Sequence, residues 1–287
     1  MDPDGSNVFD VGFQKLSFHL SQKIRRHRSQ VILILVTQGG ATVLKAHVLW
    51  IAPCVLLCAC PNSGFGSSVI FLLEQKLIAV GADSKTYSVD GSDHGNVCKL
   101  FVAPSGIVFA HAGIMNGQDG TRFIELAETV LKDARTISEA ADRFESIMRP
   151  RLQREASALR NALPDFYAEE VEDKPWYQVA FAHLAESGPQ IVARTFEPIT
   201  SRGRVIINVQ PFECLDGCAQ SKLGLGHFEN IDEAFASGQR LPDTAEGRIR
   251  YLIGLEIIAA PKQVGPPISI LTLKDTGVTW VDHGECK

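Results

Sequence analysis

The order of strand-like and helix-like stretches constrains this chain most, because its helices come in pairs. Residues 69–73 and 77–82 are β-branched and aliphatic runs broken by Glu74-Gln75-Lys76, which reads as a hairpin. Residues 100–103 and 107–112 repeat the pattern around Pro104-Ser105-Gly106. Helical periodicity follows, with Phe123, Leu126, Ala127, Val130, Leu131 and Ala134 on one face. Thr136-Ile137-Ser138-Glu139 opens a second helix as a capping box. That helix turns Ile137, Ala140, Ala141, Phe144, Ile147 and Met148 inward. Pro150 predicts a kink or an end, with helix again over 152–163. Strands are expected at about 178–183, 190–196 and 204–209, then helices over about 228–237 and from 243 or 244 onward. A hairpin over 269–273 and 278–280, turning at Asp275-Thr276-Gly277, closes the chain.

Paired helices cannot each cross over one parallel sheet. Two antiparallel sheets packed face to face, with helices outside each, bury every apolar face. The expected fold class is α+β, a four-layer α-β-β-α sandwich.

The charge distribution divides the chain. The first 66 residues hold six Lys/Arg against three Asp, leaving 22 basic against 30 acidic of the chain's 28 and 33. A basic, apolar front on an acidic body reads as a leader over residues 1–66 and a domain over residues 67–287. Lys45 precedes an uncharged apolar run to Cys60. The run is short against the roughly 20 residues of a membrane span, and suits the apolar region of a secretory signal, about 7–15 residues. Gly64 and Gly66 put small residues three and one before Ser67. Export to the periplasm or the exterior is therefore expected, with a cytoplasmic location as the alternative. Leu57-Cys58-Ala59-Cys60 resembles a lipoprotein cleavage box and adds a lipid-anchored variant of export. A net charge of −5 without a basic patch gives no sign of nucleic-acid binding, and the domain after the leader shows no stable membrane span.

Seven cysteines stand at 54, 58, 60, 98, 214, 218 and 286. Cys214 and Cys218 are the close pair in the body, read as a small disulfide loop or two free thiols. A zinc site needs a second such pair. No metal or organic cofactor is implied.

The candidate chemistry starts at Ser67. Asp83 follows it by sixteen positions, Lys99 follows Asp83 by sixteen, and Gly113 follows Lys99 by fourteen. A serine hydroxyl is a weak nucleophile until a base takes its proton. A serine freed at a chain terminus brings its own base, an α-amine titrating near about 7.7–8.0. A lysine ammonium nearby keeps that amine neutral, and an aspartate fixes the lysine. His111-Ala112-Gly113 offers a backbone N–H for a developing oxyanion. Each residue also has a plainer reading: Ser67 as linker, Asp83 as turn cap, Lys99 as a solvated strand start, Gly113 as a turn glycine. His94 and His111 invite a serine–histidine alternative, but His111, at a strand end, reads as a core or rim residue. Lys85 and Glu74 read as solvated.

Ser67, Gly81-Ala82-Asp83-Ser84, Lys99 and Ala112-Gly113, at these intervals, resemble the N-terminal-nucleophile (Ntn) hydrolases of the proteasome β-subunit type, including bacterial proteasome-type peptidases. The resemblance spans about residues 67–280. It implies the same layered sandwich, Ser67 as nucleophile after leader removal, Asp83 and Lys99 as its supporting pair, Gly113 N–H as oxyanion donor, and a peptide or amide substrate. The family's late auxiliary aspartate and serine are missing from the stretch 260–267. Leu223-Gly224-Leu225-Gly226-His227 stands where the family's other auxiliary loop would. Two further readings share the fold: a catalytically silent scaffold subunit with its leader uncut, and a small-molecule amidase or acylase. Homo-oligomerisation stays open.

Overall fold

The computed structural model describes residues 66–87, 93–116, 122–216, 218 and 221–286. The leader proposed from sequence therefore lies outside the described residues, Gly66 excepted.

Strands β1 (Ser68–Glu74) and β2 (Leu77–Asp83) form the first hairpin, with Val69 facing Ala82 and Glu74 facing Leu77. The chain then makes a small hairpin of β3 (Lys85–Tyr87) and β4 (Asp93–Asn96). β5 (Leu100–Val102) and β6 (Val108–Gly113) follow, then α1 (Phe123–Asp133), α2 (Ile137–Ala162) and α3 (Pro164–Glu170). The middle of the chain is β7 (Tyr177–Ala185), β8 (Gly188–Ser201), β9 (Arg204–Cys214) and β10 (Ser221–Gly226). α4 (Glu229–Ala236), α5 (Ala245–Ala259), β11 (Ile268–Lys274) and β12 (Gly277–Asp282) complete it. One five-stranded sheet has the order β10-β1-β2-β11-β12 and the other β5-β6-β7-β8-β9, and every pairing is antiparallel. The described residues are thus α+β, with five helices and antiparallel sheets.

Alternation along the strands sorts the side chains into three cores. Val69, Phe71 and Val80 of the first sheet pack with Val108, Ala110 and Ala180 of the second. Their neighbours Ile70, Leu72 and Ala79 turn the other way, onto Ile249, Leu252 and Ile253 of α5. On the second sheet, Phe109, Phe181 and Phe196 join Phe144, Met148 and Leu152 of α2. Each Val, Leu, Ile, Phe or Met among them contributes about 1.5–3 kcal/mol by leaving water.

The Thr136 hydroxyl caps α2 by accepting from Glu139 N at 3.1 Å, while the Glu139 carboxylate reaches back to Arg135 N at 2.9 Å. The expected interruption at Pro150 does not end the helix, which runs on to Ala162. Met148 and Leu152, on either side of the proline, are both fully buried and hold the helix to the sheet. Arg194 on β8 is buried beneath α2 and meets Asp142 at 2.7 Å, Glu145 at 3.1 Å and Glu213 at 2.9 Å. Burial pulls its guanidinium down, but hydrogen bonds from Asp142 and Glu213 outweigh that and leave it raised.

The sequence under-reads the second sheet, since β8 and β9 extend to Ser201 and Cys214. Residues 223–226, read as loop, form strand β10 and pair with β1. Their glycines obscured the strand pattern. Among the described residues no helix is long and apolar enough to cross a membrane.

Candidate active site

Asp83 ends β2, where its carboxylate collects donors from four segments. Oδ1 accepts from Ser68 N at 2.7 Å and from Lys99 Nζ at 2.7 Å. Oδ2 accepts from Lys85 N and Gly265 N, each at 3.1 Å. The plain turn-cap reading of Asp83 is therefore incomplete. The Lys85 contact is such a cap, but the other three come from β1, the approach to β5 and the loop before β11.

Lys99 is not a solvated strand start. Its side chain and that of Asp83 are both 0% exposed. Nζ also donates to Lys85 O at 2.8 Å, so two oxygens share the ammonium. Burial lowers the Lys99 pKa, and the charge and hydrogen bond of Asp83 oppose that fall. Lys85, read as solvated, is half-buried and donates through Nζ to Pro261 O at 2.8 Å. The loop lacking the family's auxiliary aspartate and serine is thus still tied to the site, by its backbone.

Ser67 sits directly before the residue whose amide Asp83 holds. It is fully buried, and its hydroxyl donates to Gly66 O at 2.6 Å. Its nitrogen is part of the Gly66–Ser67 peptide here and carries no basic lone pair. Its carbonyl accepts from His227 N at 2.7 Å, just past the end of β10. Gly226 makes that approach possible. Its φ is +75°, and a Cβ there would lie 2.0 Å from Ser67 O.

Gly113 closes β6 opposite Tyr177. Its φ is +106°, and a Cβ would lie 2.4 Å from Trp176 O, so a larger residue cannot take this turn. Ala112 just before it lies against Gly226, its Cβ 3.2 Å from where a Gly226 Cβ would stand. The structure thus brings Asp83 and Lys99 together one residue from Ser67, at the Ser68 amide, and places Gly113 next to Ala112, which packs across the two sheets against Gly226.

Gln178 escaped the sequence reading. It lies on β7 opposite Ala112, and its Oε1 accepts from Gly226 N at 2.6 Å, linking the two sheets beside Ser67. Its Nε2 donates to Thr195 Oγ1 at 3.3 Å. A glutamine at the start of an apolar strand, between Tyr177 and Val179, was the available signal.

His111 belongs to the opposite face of its sheet. Its ring stacks on Phe109 at 5.5 Å, and its Nδ1 lies 3.3 Å from the Tyr177 hydroxyl. Burial, with a smaller contribution from the Lys99 charge, pushes its pKa down to about 3. A neutral imidazole facing the helices is not the base of a serine–histidine pair. The His94 side chain lies outside the described residues. Among the described residues, no group of His, Cys, Asp and Glu is arranged to hold a metal ion.

Cys214 and Cys218 are joined by a disulfide, the first of the two readings open to them. A second disulfide, Cys98–Cys286, spans 188 positions and was not foreseen. Spacing carries no signal at such separation.

No model of a known protein family matches the chain, and no curated protein matches it.

Proposed function

We propose that this chain is an Ntn hydrolase of the proteasome β-subunit type that cleaves amide bonds in peptides. The observation that carries the reading is the buried Asp83 carboxylate, which binds Lys99 Nζ and Ser68 N through one oxygen, with the Ser67 hydroxyl on Gly66 O. Three apolar cores alternating with two antiparallel sheets support the finer fold assignment, a four-layer α-β-β-α sandwich.

In this reading, removal of residues 1–66 frees the Ser67 α-amine. The Lys99 ammonium, fixed by Asp83, disfavours a second positive charge and keeps the amine unprotonated near neutral pH. The amine takes the hydroxyl proton through a bridging water, and Ser67 Oγ attacks the substrate carbonyl carbon. The Gly113 N–H donates to the resulting oxyanion. The amine then passes its proton to the departing nitrogen as the C–N bond breaks, leaving an ester on Ser67. Water hydrolyses that ester and restores the hydroxyl. The Ser67 hydroxyl, hydrogen-bonded to Gly66 O, lies next to the peptide bond that processing must break.

Two disulfides support export, because such bonds persist in oxidising compartments. A silent scaffold subunit is the second reading. It is favoured by the complete burial of Ser67 while the bond to Gly66 is intact.

Intact mass and N-terminal sequencing of the purified protein, combined with labelling by a fluorescent β-lactone, decide between them. A chain starting at Ser67, labelled there and inert as Ser67→Ala, supports the hydrolase. A chain that keeps Gly66 and takes no label supports the scaffold. Full turnover in Ser67→Ala overturns the assignment of the nucleophile.

A further inference from the structure

Cys98 stands one residue before Lys99 and is bonded to Cys286 near the other end of the domain, with their Cα atoms 4.7 Å apart. The segment it anchors has little else to fix it. Residues 97–99 belong to no strand. β5, which follows, is three residues long and an edge strand, paired with β6 alone. Val97 N donates to Ser84 O at 2.7 Å, and Lys99 O accepts from His111 N at 3.2 Å. Yet this short approach must deliver Lys99 Nζ to Asp83 Oδ1 at 2.7 Å.

The other end of the disulfide is firmly held. Ser269 Oγ donates to His283 O at 2.8 Å, and Cys286 N donates to the same carbonyl at 2.7 Å. The His283 ring stacks on Trp280 of β12 at 5.1 Å. Ser269 follows Ile268, the residue of β11 that pairs with Asp83. The bond therefore joins the segment carrying Lys99 to the strand alongside Asp83. The partners of the buried ion pair are thus linked by one covalent bond and a short relay of hydrogen bonds through the turn at 283–286 and β11.

We propose that the Cys98–Cys286 disulfide is a positioning element of the site, which sets Lys99 on Asp83 and makes activity depend on the oxidation state of this pair. The catalytic part of the proposal rests on the hydrolase reading above. A dithiol gives two electrons and two protons to the Sγ–Sγ bond, leaving two cysteine thiols and a cyclic disulfide. A disulfide oxidant such as oxidised glutathione reverses the step. Cys98 is partly exposed and Cys286 buried, so a reductant would approach the bond from the Cys98 side. Held in this way, the enzyme is quiet where thiols are kept reduced and active where they are oxidised.

The test uses the mature protein, oxidised or treated with dithiothreitol, well below its melting temperature, with circular dichroism recording that it stays folded. Two quantities are read by peptide mass: acetylation of Lys99 by an N-hydroxysuccinimide ester, and labelling of Ser67 by the β-lactone. A Cys214→Ser/Cys218→Ser variant removes the other disulfide from the comparison. A Cys98→Ala/Cys286→Ala variant supplies a chain that never forms the bond. Opening the bond is expected to raise the rate of Lys99 acetylation at least tenfold and to slow Ser67 labelling by a similar factor. Both should return on reoxidation, and the Cys98→Ala/Cys286→Ala variant should resemble the reduced protein without responding to dithiothreitol. A disulfide that only adds stability would change neither rate in the folded protein. Lys99 still protected after the bond is shown open overturns the proposal, as does Ser67 labelling that is present and equally fast in both states. Lys99 exposed on reduction, with Ser67 unlabelled in every state, upholds the positioning role and sinks the hydrolase reading instead.

Discussion

Lys99 meets Asp83 at 2.7 Å with neither side chain reachable by water. A pair buried so completely pays a large desolvation cost, and removing one partner strands the other charge. Lys99→Met should therefore destabilise the fold by about 3–5 kcal/mol. Lys99→Met with Asp83→Asn should recover part of that loss, because no lone charge remains. Denaturant melts of the two variants measure the difference. Neither variant should label at Ser67 at more than about one-hundredth of the parent rate, a loss of about 2.7 kcal/mol in barrier terms. Recovered stability with unrecovered labelling would support the catalytic role proposed for the pair, apart from its structural one.

His111 makes the fold sensitive to acid. Its folded pKa, about 3, lies below the ordinary 6.5, so between those values the unfolded chain binds a proton that the folded one refuses. Its contribution is fully present above pH 6.5 and is lost as the pH falls toward 3. The shift corresponds to a loss of up to about 5 kcal/mol across that window. His111→Phe, which keeps the stack on Phe109, should flatten this part of the stability curve. Urea midpoints at pH 7 and pH 4 for parent and variant test it. Equal slopes in the two proteins would show that other groups carry the acid response.

Gln178 should matter to the reaction more than its place on a strand suggests. Its Oε1 holds Gly226 N at 2.6 Å, and the next residue of that chain, His227, holds Ser67 O. Gln178→Leu leaves the Gly226 N–H without its partner at a cost of about 1–3 kcal/mol. Gln178→Glu keeps an acceptor in the same place. Ser67 labelling is expected to fall about tenfold in the first and to stay nearer the parent rate in the second, a difference of about 1.4 kcal/mol. Labelling that ignores both changes would remove Gln178 from the site.

The parts of this fold written in local pattern were legible, and the parts written in long-range contact were not. β-branched and aliphatic runs broken by Glu74-Gln75-Lys76 marked the hairpin from Val69 to Ala82, and helical spacing marked α1, because each signal lies within about a dozen residues. β10 was missed because Gly224 and Gly226, needed for close approach to Phe228 and Ser67, dilute the strand pattern. Asp83 and Lys99 could be picked out only through their joint spacing with Ser67. Nothing local tells a buried lysine from a solvated one at a strand start. Gln178 and the Cys98–Cys286 bond join segments far apart in the chain, and no pattern near either residue points to its partner.

Gly226 offers the sharpest steric test of how Ser67 is held. Two costs coincide there: a left-handed backbone at φ +75°, and a Cβ that would stand 2.0 Å from Ser67 O. The first alone costs an alanine about 1–2 kcal/mol. Gly106 isolates that part, since its φ is +79° and nothing lies within 4 Å of a Cβ placed there. Gly106→Ala should therefore lose about 1–2 kcal/mol and label normally. Gly226→Ala must also push β10 away from Ser67, breaking the His227 N contact with Ser67 O. Its thermal midpoint should fall well below that of Gly106→Ala, and Ser67 labelling should be lost at temperatures where both proteins remain folded. If the two variants melt together and label alike, β10 yields freely at this point and does not hold Ser67.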